Sequence, residues 1–271
     1  MQGAAHDFAA AADALIAAES TYFDQIQSAS DEAHLLAASA DYVGKNGSFV
    51  VIAAEFDKHD DFSKAKALRV KALAQLGNYA RCIDAIGNGG EAPWLRSDVQ
   101  ATGASVDSLL ADSQAAKLSK PQADAIRSAV ADLAQLVVAK ASIDHLQHLA
   151  EQAKAPIAAI ANMIERDEQL IEADQFAPGL KTDQHQDTLN ILHLIYDDPK
   201  VDSAQRLLAI HLAFANQPRI VSQGAMIREA LTKLQAANDA IASGHYESAY
   251  EFADQAFGMA QRALDAAGPK S

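Results

Sequence analysis

Apolar residues recur at spacings of three and four along most of this chain, with polar residues filling the gaps, which is the pattern of amphipathic helices. Residues 4 to about 39 carry Phe8, Leu15, Tyr22, Phe23, Ile26, Leu35 and Leu36 among many alanines, without Gly or Pro, and predict a long first helix. "GKNGS" (44–48) ends it. The apolar run "FVVIAAEF" (49–56) suits a short strand by propensity, but no partner strand is legible elsewhere, so it reads as helix or irregular chain. From Asp61 to about Ile86, a second helix is marked by Phe62, Leu68, Leu73, Leu76, Tyr79, Ile83 and Ile86, and "GNGGEAP" (87–93) stops it.

Residues 98–118 predict a further helix. Ser119 then offers an N-cap with Pro121 in the first turn, starting a helix through Val130, Leu133, Leu136, Val137, Ile143, Leu146 and Leu149. Pro156 is expected to kink or break it, because a proline ring clashes with the carbonyl one turn back. The pattern resumes from Ile157 to about Phe176. "APGLKTD" (177–183) marks a boundary, followed by a short helix to Tyr196 and helices at about 201–215, 218–242 and 246–267. The expected fold is all-α: an elongated bundle of about eight or nine helices, long and antiparallel, closed by a C-terminal hairpin. Residues 1–176 form a long-helix bundle and 177–271 a subdomain packed on it, unless the two are one continuous domain.

The hairpin stretch "SGHYESAYEFADQAFGMAQRAL" (243–264) places Gly244, Tyr246, Ala249, Ala253 and Ala256 in a spacing that resembles the turn and second helix of a tetratricopeptide motif. A partial echo, Gly77, Tyr79 and Cys82, begins 167 residues earlier (244 minus 77), which is not a multiple of that motif's period of about 34. One isolated unit cannot stack into an array, so the stretch reads as a single hairpin, with a tetratricopeptide-like adaptor as an alternative.

Composition narrows the function classes. The chain is 49% apolar yet only 6% aromatic, which suits helices packed closely on alanine. With 22 basic and 36 acidic residues its formal net charge is −14, so it lacks the phosphate attraction that drives nucleic-acid binding and is repelled by anionic headgroups. Lys64, Lys66, Arg69 and Lys71, balanced by Asp57, Asp60 and Asp61, read as a solvated helix face. The single cysteine, Cys82, allows no intrachain disulfide and falls at a core position. No run of 18 apolar residues exists, so no transmembrane helix is expected; "FVVIAAEF", the one candidate for a pore-forming reading, is too short to span.

Candidate chemistry is thin. His145, His148 and Glu151 follow one another by three and share a helix face, a donor set that suits a transition metal, although Leu146 and Leu149 beside them suit an ordinary exposed polar face equally well. The acids of "MIERDEQLIEADQ" (Glu165, Asp167, Glu168, Glu172, Asp174) read as a solvated amphipathic helix, and His59, His185 and His193 stand near acids that cap helix starts. There is no phosphate-binding glycine loop, no Gly-x-Ser-x-Gly, no His-Glu-x-x-His and no Cys-x-x-Cys. The expectation is therefore a non-enzyme without catalytic residues or cofactor. It binds a protein partner or an apolar small molecule between helices, with Trp94, Phe49, Phe56 and Tyr79 around the Gly-rich break as cleft-lining candidates. A metal-binding bundle on His145, His148 and Glu151 is the alternative.

The Ala-rich acidic texture, the long amphipathic segments and a start, "MQGAAHDFAAAADALIAAES", without basic or apolar signal features resemble the helical periplasmic proteins and lipoproteins that Gram-negative bacteria export. The resemblance carries no diagnostic motif. It implies a periplasmic or cell-surface location, with the cytoplasm as the alternative, and allows for a lipid anchor at a processed N-terminus.

Overall fold

The structure, a computed structural model, describes residues 2–44, 62–89, 95–111, 117–138, 146–172 and 217–267. Among them the protein is all-α, with seven helices and no strand: α1 (Gln2–Gly44), α2 (Ser63–Gly87), α3 (Leu95–Leu110), α4 (Lys120–Val138), α5 (Leu146–Glu172), α6 (Gln217–Ala242) and α7 (Tyr246–Ala266). The run "FVVIAAEF" and the helices expected up to Tyr196 and at 201–215 lie outside the described residues.

The chain divides into two compact units. One comprises Met1–Tyr22, Phe62–Arg166 and Ser222–Ser271; the other comprises Phe23–Asp61 and Asp167–Val221. The first therefore draws the C-terminal hairpin into the same unit as the start of α1. In the second, Phe23, Ile26, Ala29 and Ile171 are buried.

The first unit is built around α2, whose residues from Ala72 to Ala80 are all buried except Ala74. Helix α1 lies antiparallel to it at short range: a Cβ on Gly87 would come within 3.0 Å of the Ala5 methyl, and one on Gly77 within 3.0 Å of Ile16 Cδ1. Alanine and glycine on both faces permit that approach, and the Arg81–Asp13 ion pair at 2.7 Å fixes the register from outside. Leu68, Leu73, Leu76 and Ile83 are 0–1% exposed, and burying each contributes about 1.5–3 kcal/mol. Helices α3 and α4 pack on α2 and on each other, and Lys117 sits over the Phe62 ring at 5.4 Å.

Helix α4 starts as its sequence suggests. The Gln122 side chain reaches back to accept hydrogen bonds from the Ser119 N–H (2.9 Å) and hydroxyl (2.7 Å), the return arm of a capping box. It is described to Val138 and α5 from Leu146, and the stretch between them, over which one continuous helix is expected, lies outside the described residues. Pro156 does not break the chain's course: it lies buried inside α5, which continues to Glu172. A proline costs one intrahelical hydrogen bond, and the surrounding apolar face of Ala153, Ile157 and Ile160, all 0–1% exposed, holds the helix together across it.

The α6–α7 hairpin closes on a Schellman turn. The His245 N–H bonds the Ala240 carbonyl at 2.8 Å and the Gly244 N–H bonds the Ile241 carbonyl at 3.0 Å. This geometry needs the φ of +76° that Gly244 adopts, and a Cβ there would strike Gln147 Nε2 of α5 at 2.5 Å.

Candidate functional site

Several polar side chains of the first unit are buried, and one set forms a continuous network. The Tyr79 hydroxyl on α2 donates to Asn238 Oδ1 on α6 at 2.8 Å, and Asn238 Nδ2 donates to the Ala150 carbonyl on α5 at 2.8 Å. Tyr79 and Asn238 are each 1% exposed, so the network ties three helices inside the core. Phe8 of α1 meets the Tyr79 ring edge-on, the centroids 6.2 Å apart. Burial holds the Tyr79 phenol well above its ordinary pKa, with the nearby Cys82 adding to the effect, and burial pushes the Cys82 thiol up to about 11. A thiol so raised is protonated at neutral pH and a poor nucleophile. Both residues act as core.

Arg69 is fully buried and donates to the Ala65 carbonyl at 3.3 Å, so the solvated face expected of the basic run holds only in part: Lys64 and Lys71 are exposed, Arg69 is not. Glu19 of α1, in the same unit, is also fully buried, and a buried charge of either sign is costly unless it is compensated. Asp167 likewise departs from the expected solvated acidic face, at 2% exposure, whereas Glu165 is exposed. Gln223 on α6 is 0% exposed with neither amide atom hydrogen-bonded, and Gln75 is buried with its Nε2 unpaired.

The other sequence candidates divide as follows. Tyr79 is in the core network, while Trp94, Phe49 and Phe56 lie outside the described residues. Of the metal candidates, His145 is outside the described residues, and His148 and Glu151 are exposed on the first turns of α5. Glu151 is engaged: its Oε2 lies 2.6 Å from Lys154 Nζ, and this hydrogen bond, with Asp239 at 3.8 Å beyond it, raises the Lys154 pKa. Among the described residues no three His, Cys, Asp or Glu side chains converge on one point. His59, His185 and His193 are outside the described residues.

A surface feature that the sequence reading missed lies on α7. The fully buried residues of this helix are all alanines, Ala249, Ala253, Ala256, Ala260 and Ala263, and Phe252 is half-buried with Lys233 of α6 over its ring at 5.8 Å. On a neighbouring line Tyr250 is 49% and Phe257 39% exposed, and Tyr246 and Leu264 are half-buried. Spaced by four, seven and seven, these four fall within an arc of about 40° and form a stripe about 27 Å long beside the buried face. The stripe borders the start of α1, where Gly3 has no side chain and a Cβ would lie 3.7 Å from the Tyr250 ring. The signal was in the sequence as the seven-residue recurrence of Tyr250, Phe257 and Leu264, offset from the alanine positions.

Among the described residues, no helix is long and apolar enough to cross a membrane. No family model, no curated protein and no solved structure matches this chain.

Proposed function

We propose that this chain is a non-enzymatic helical binding protein that docks a protein partner along the side of α7. One observation carries the reading. Val138, Tyr250 and Phe257 are the large apolar side chains exposed among the described residues, and two of the three stand on one line of one helix. Rigid aromatics on a helix face are the usual anchors of protein recognition, because they bury large area at small entropic cost. The fully buried face of α7 is made of alanine and does not include them. Of the residues named for an apolar ligand, Trp94, Phe49 and Phe56 lie outside the described residues and Tyr79 is in the core network. The reading includes an exported location, periplasmic or at the cell surface, which the compositional resemblance supports and cell fractionation tests.

The experiment is site-specific photo-crosslinking in the cells that make the protein. A photoreactive residue at position 250 or 257 yields one discrete adduct, absent when the same residue replaces Ser128 or Glu165, both exposed on other helices. The purified adduct partner then binds the unaltered chain and not the Tyr250→Ala/Phe257→Ala variant. Identical adducts from all four positions, or none from any, contradict the proposal.

A further inference from the structure

Helix α7 carries charge as well as an apolar stripe. Glu247, Glu251, Asp254 and Asp265 are exposed along it, against the single exposed base Arg262, whose Nε is already bonded to the Gly258 carbonyl at 3.3 Å. Measured around the axis from Tyr250, Asp254 stands at about 40°, and Glu247 and Asp265 at about 60°, on the solvent side. The acids therefore form a row parallel to the aromatic stripe, about 60–80° round the helix from Phe257. An apolar line flanked by one row of like charge is half of a helix-pairing surface: the apolar line seats the partner's apolar seam and the charged row selects its flank.

Resting on the docking role proposed for this face, we infer that its occupant is an amphipathic helix of another protein, with apolar residues in a seven-residue repeat and Lys or Arg along one flank. The spacing of Tyr250, Phe257 and Leu264 sets the repeat, because a helix that keeps contact over several turns meets its partner once every seven residues. The acidic row sets the sign of the flank. A second copy of this chain is disfavoured as occupant: pairing α7 with α7 brings two rows of carboxylates together on chains that each carry a formal −14. An anionic membrane surface is disfavoured for the same reason.

The probe is a synthetic helix of leucine and lysine in a heptad pattern, with a leucine–glutamate helix of the same pattern as control, titrated calorimetrically into the full chain. The leucine–lysine helix binds and the control does not. Affinity falls roughly tenfold or more in Tyr250→Ala/Phe257→Ala and several-fold in Glu247→Gln/Asp254→Asn, as expected for an aromatic anchor and a partly exposed charge row. All four positions are exposed or on the helix rim, and unchanged urea midpoints verify that the variants remain folded. Unchanged binding in the aromatic variant overturns the inference, because attraction is then to the acidic surface at large. Equal binding of the control helix overturns it as well. Failure of the leucine–lysine helix to bind, alongside specific crosslinks from positions 250 and 257, overturns the basic-helix occupant and leaves the docking role standing; failure of both removes the two together. Tyr250-dependent binding to anionic phospholipid vesicles overturns it in favour of a membrane surface.

Discussion

Removing either end of the Tyr79–Asn238 hydrogen bond is expected to destabilise the protein, and removing both is expected to cost less than the sum. Tyr79→Phe leaves Asn238 Oδ1 buried without its donor, 1% exposed and away from water. A buried polar atom stripped of its partner costs about 1–3 kcal/mol. Asn238→Leu, close in volume, leaves the Tyr79 hydroxyl in the same position, for a similar cost. It also withdraws the 2.8 Å bond to the Ala150 carbonyl, which still has its place in the backbone ladder of α5. In the double variant no orphan survives, and a phenyl ring meets an aliphatic side chain beside Phe8. The two single costs then overlap by about 1–2 kcal/mol, the coupling expected of residues in direct contact. Urea unfolding followed by far-ultraviolet circular dichroism measures all four corners of the cycle. Strict additivity, or single variants within experimental error of the parent, would refute the claim that this bond ties α2 to α6.

Other substitutions separate positions that are special from those that are not. Gly244→Ala forces a side chain into a φ of +76° and against Gln147, so it should lose about 1–2 kcal/mol or more in the same urea assay. Gly103→Ala, inside α3 with nothing within 4 Å of the new methyl, should instead gain about 0.5–1 kcal/mol from helix propensity. Cys82 should resist thiol reagents in the native state and react once urea unfolds the chain. Its pKa also sets a pH dependence. The unfolded thiol ionises near 9.0 while the folded chain holds it to about 11, so stability is full below pH 9 and falls as the pH rises towards 11. Two pKa units correspond to roughly 3 kcal/mol, Tyr79 acts in the same direction at higher pH, and Cys82→Ala should flatten the first part of the decline.

Much of this architecture is legible in the sequence because alanine-rich helices announce themselves by period and by their stops. Gly87, the Ser119 cap and Gly244 each mark helix ends within a few residues of where they fall. Charge was less readable. Arg69 and Asp167 sit in runs of charged residues and are nevertheless buried, since periodicity alone does not tell which side of a helix its neighbours cover. The Tyr79–Asn238 bond joins positions 159 residues apart, a pairing that only the packed fold creates. Helix α7 inverted the usual expectation that the largest apolar side chains face inward. Its alanines allow close packing, and Tyr250 and Phe257 are left facing outward.

The most direct test of that last point is an amide hydrogen-exchange footprint of the chain with and without its native partner. Protection confined to α7 and the first turns of α1 is the result expected of docking on the Tyr250–Phe257 stripe. Protection elsewhere, with α7 exchanging as in the free chain, would contradict it.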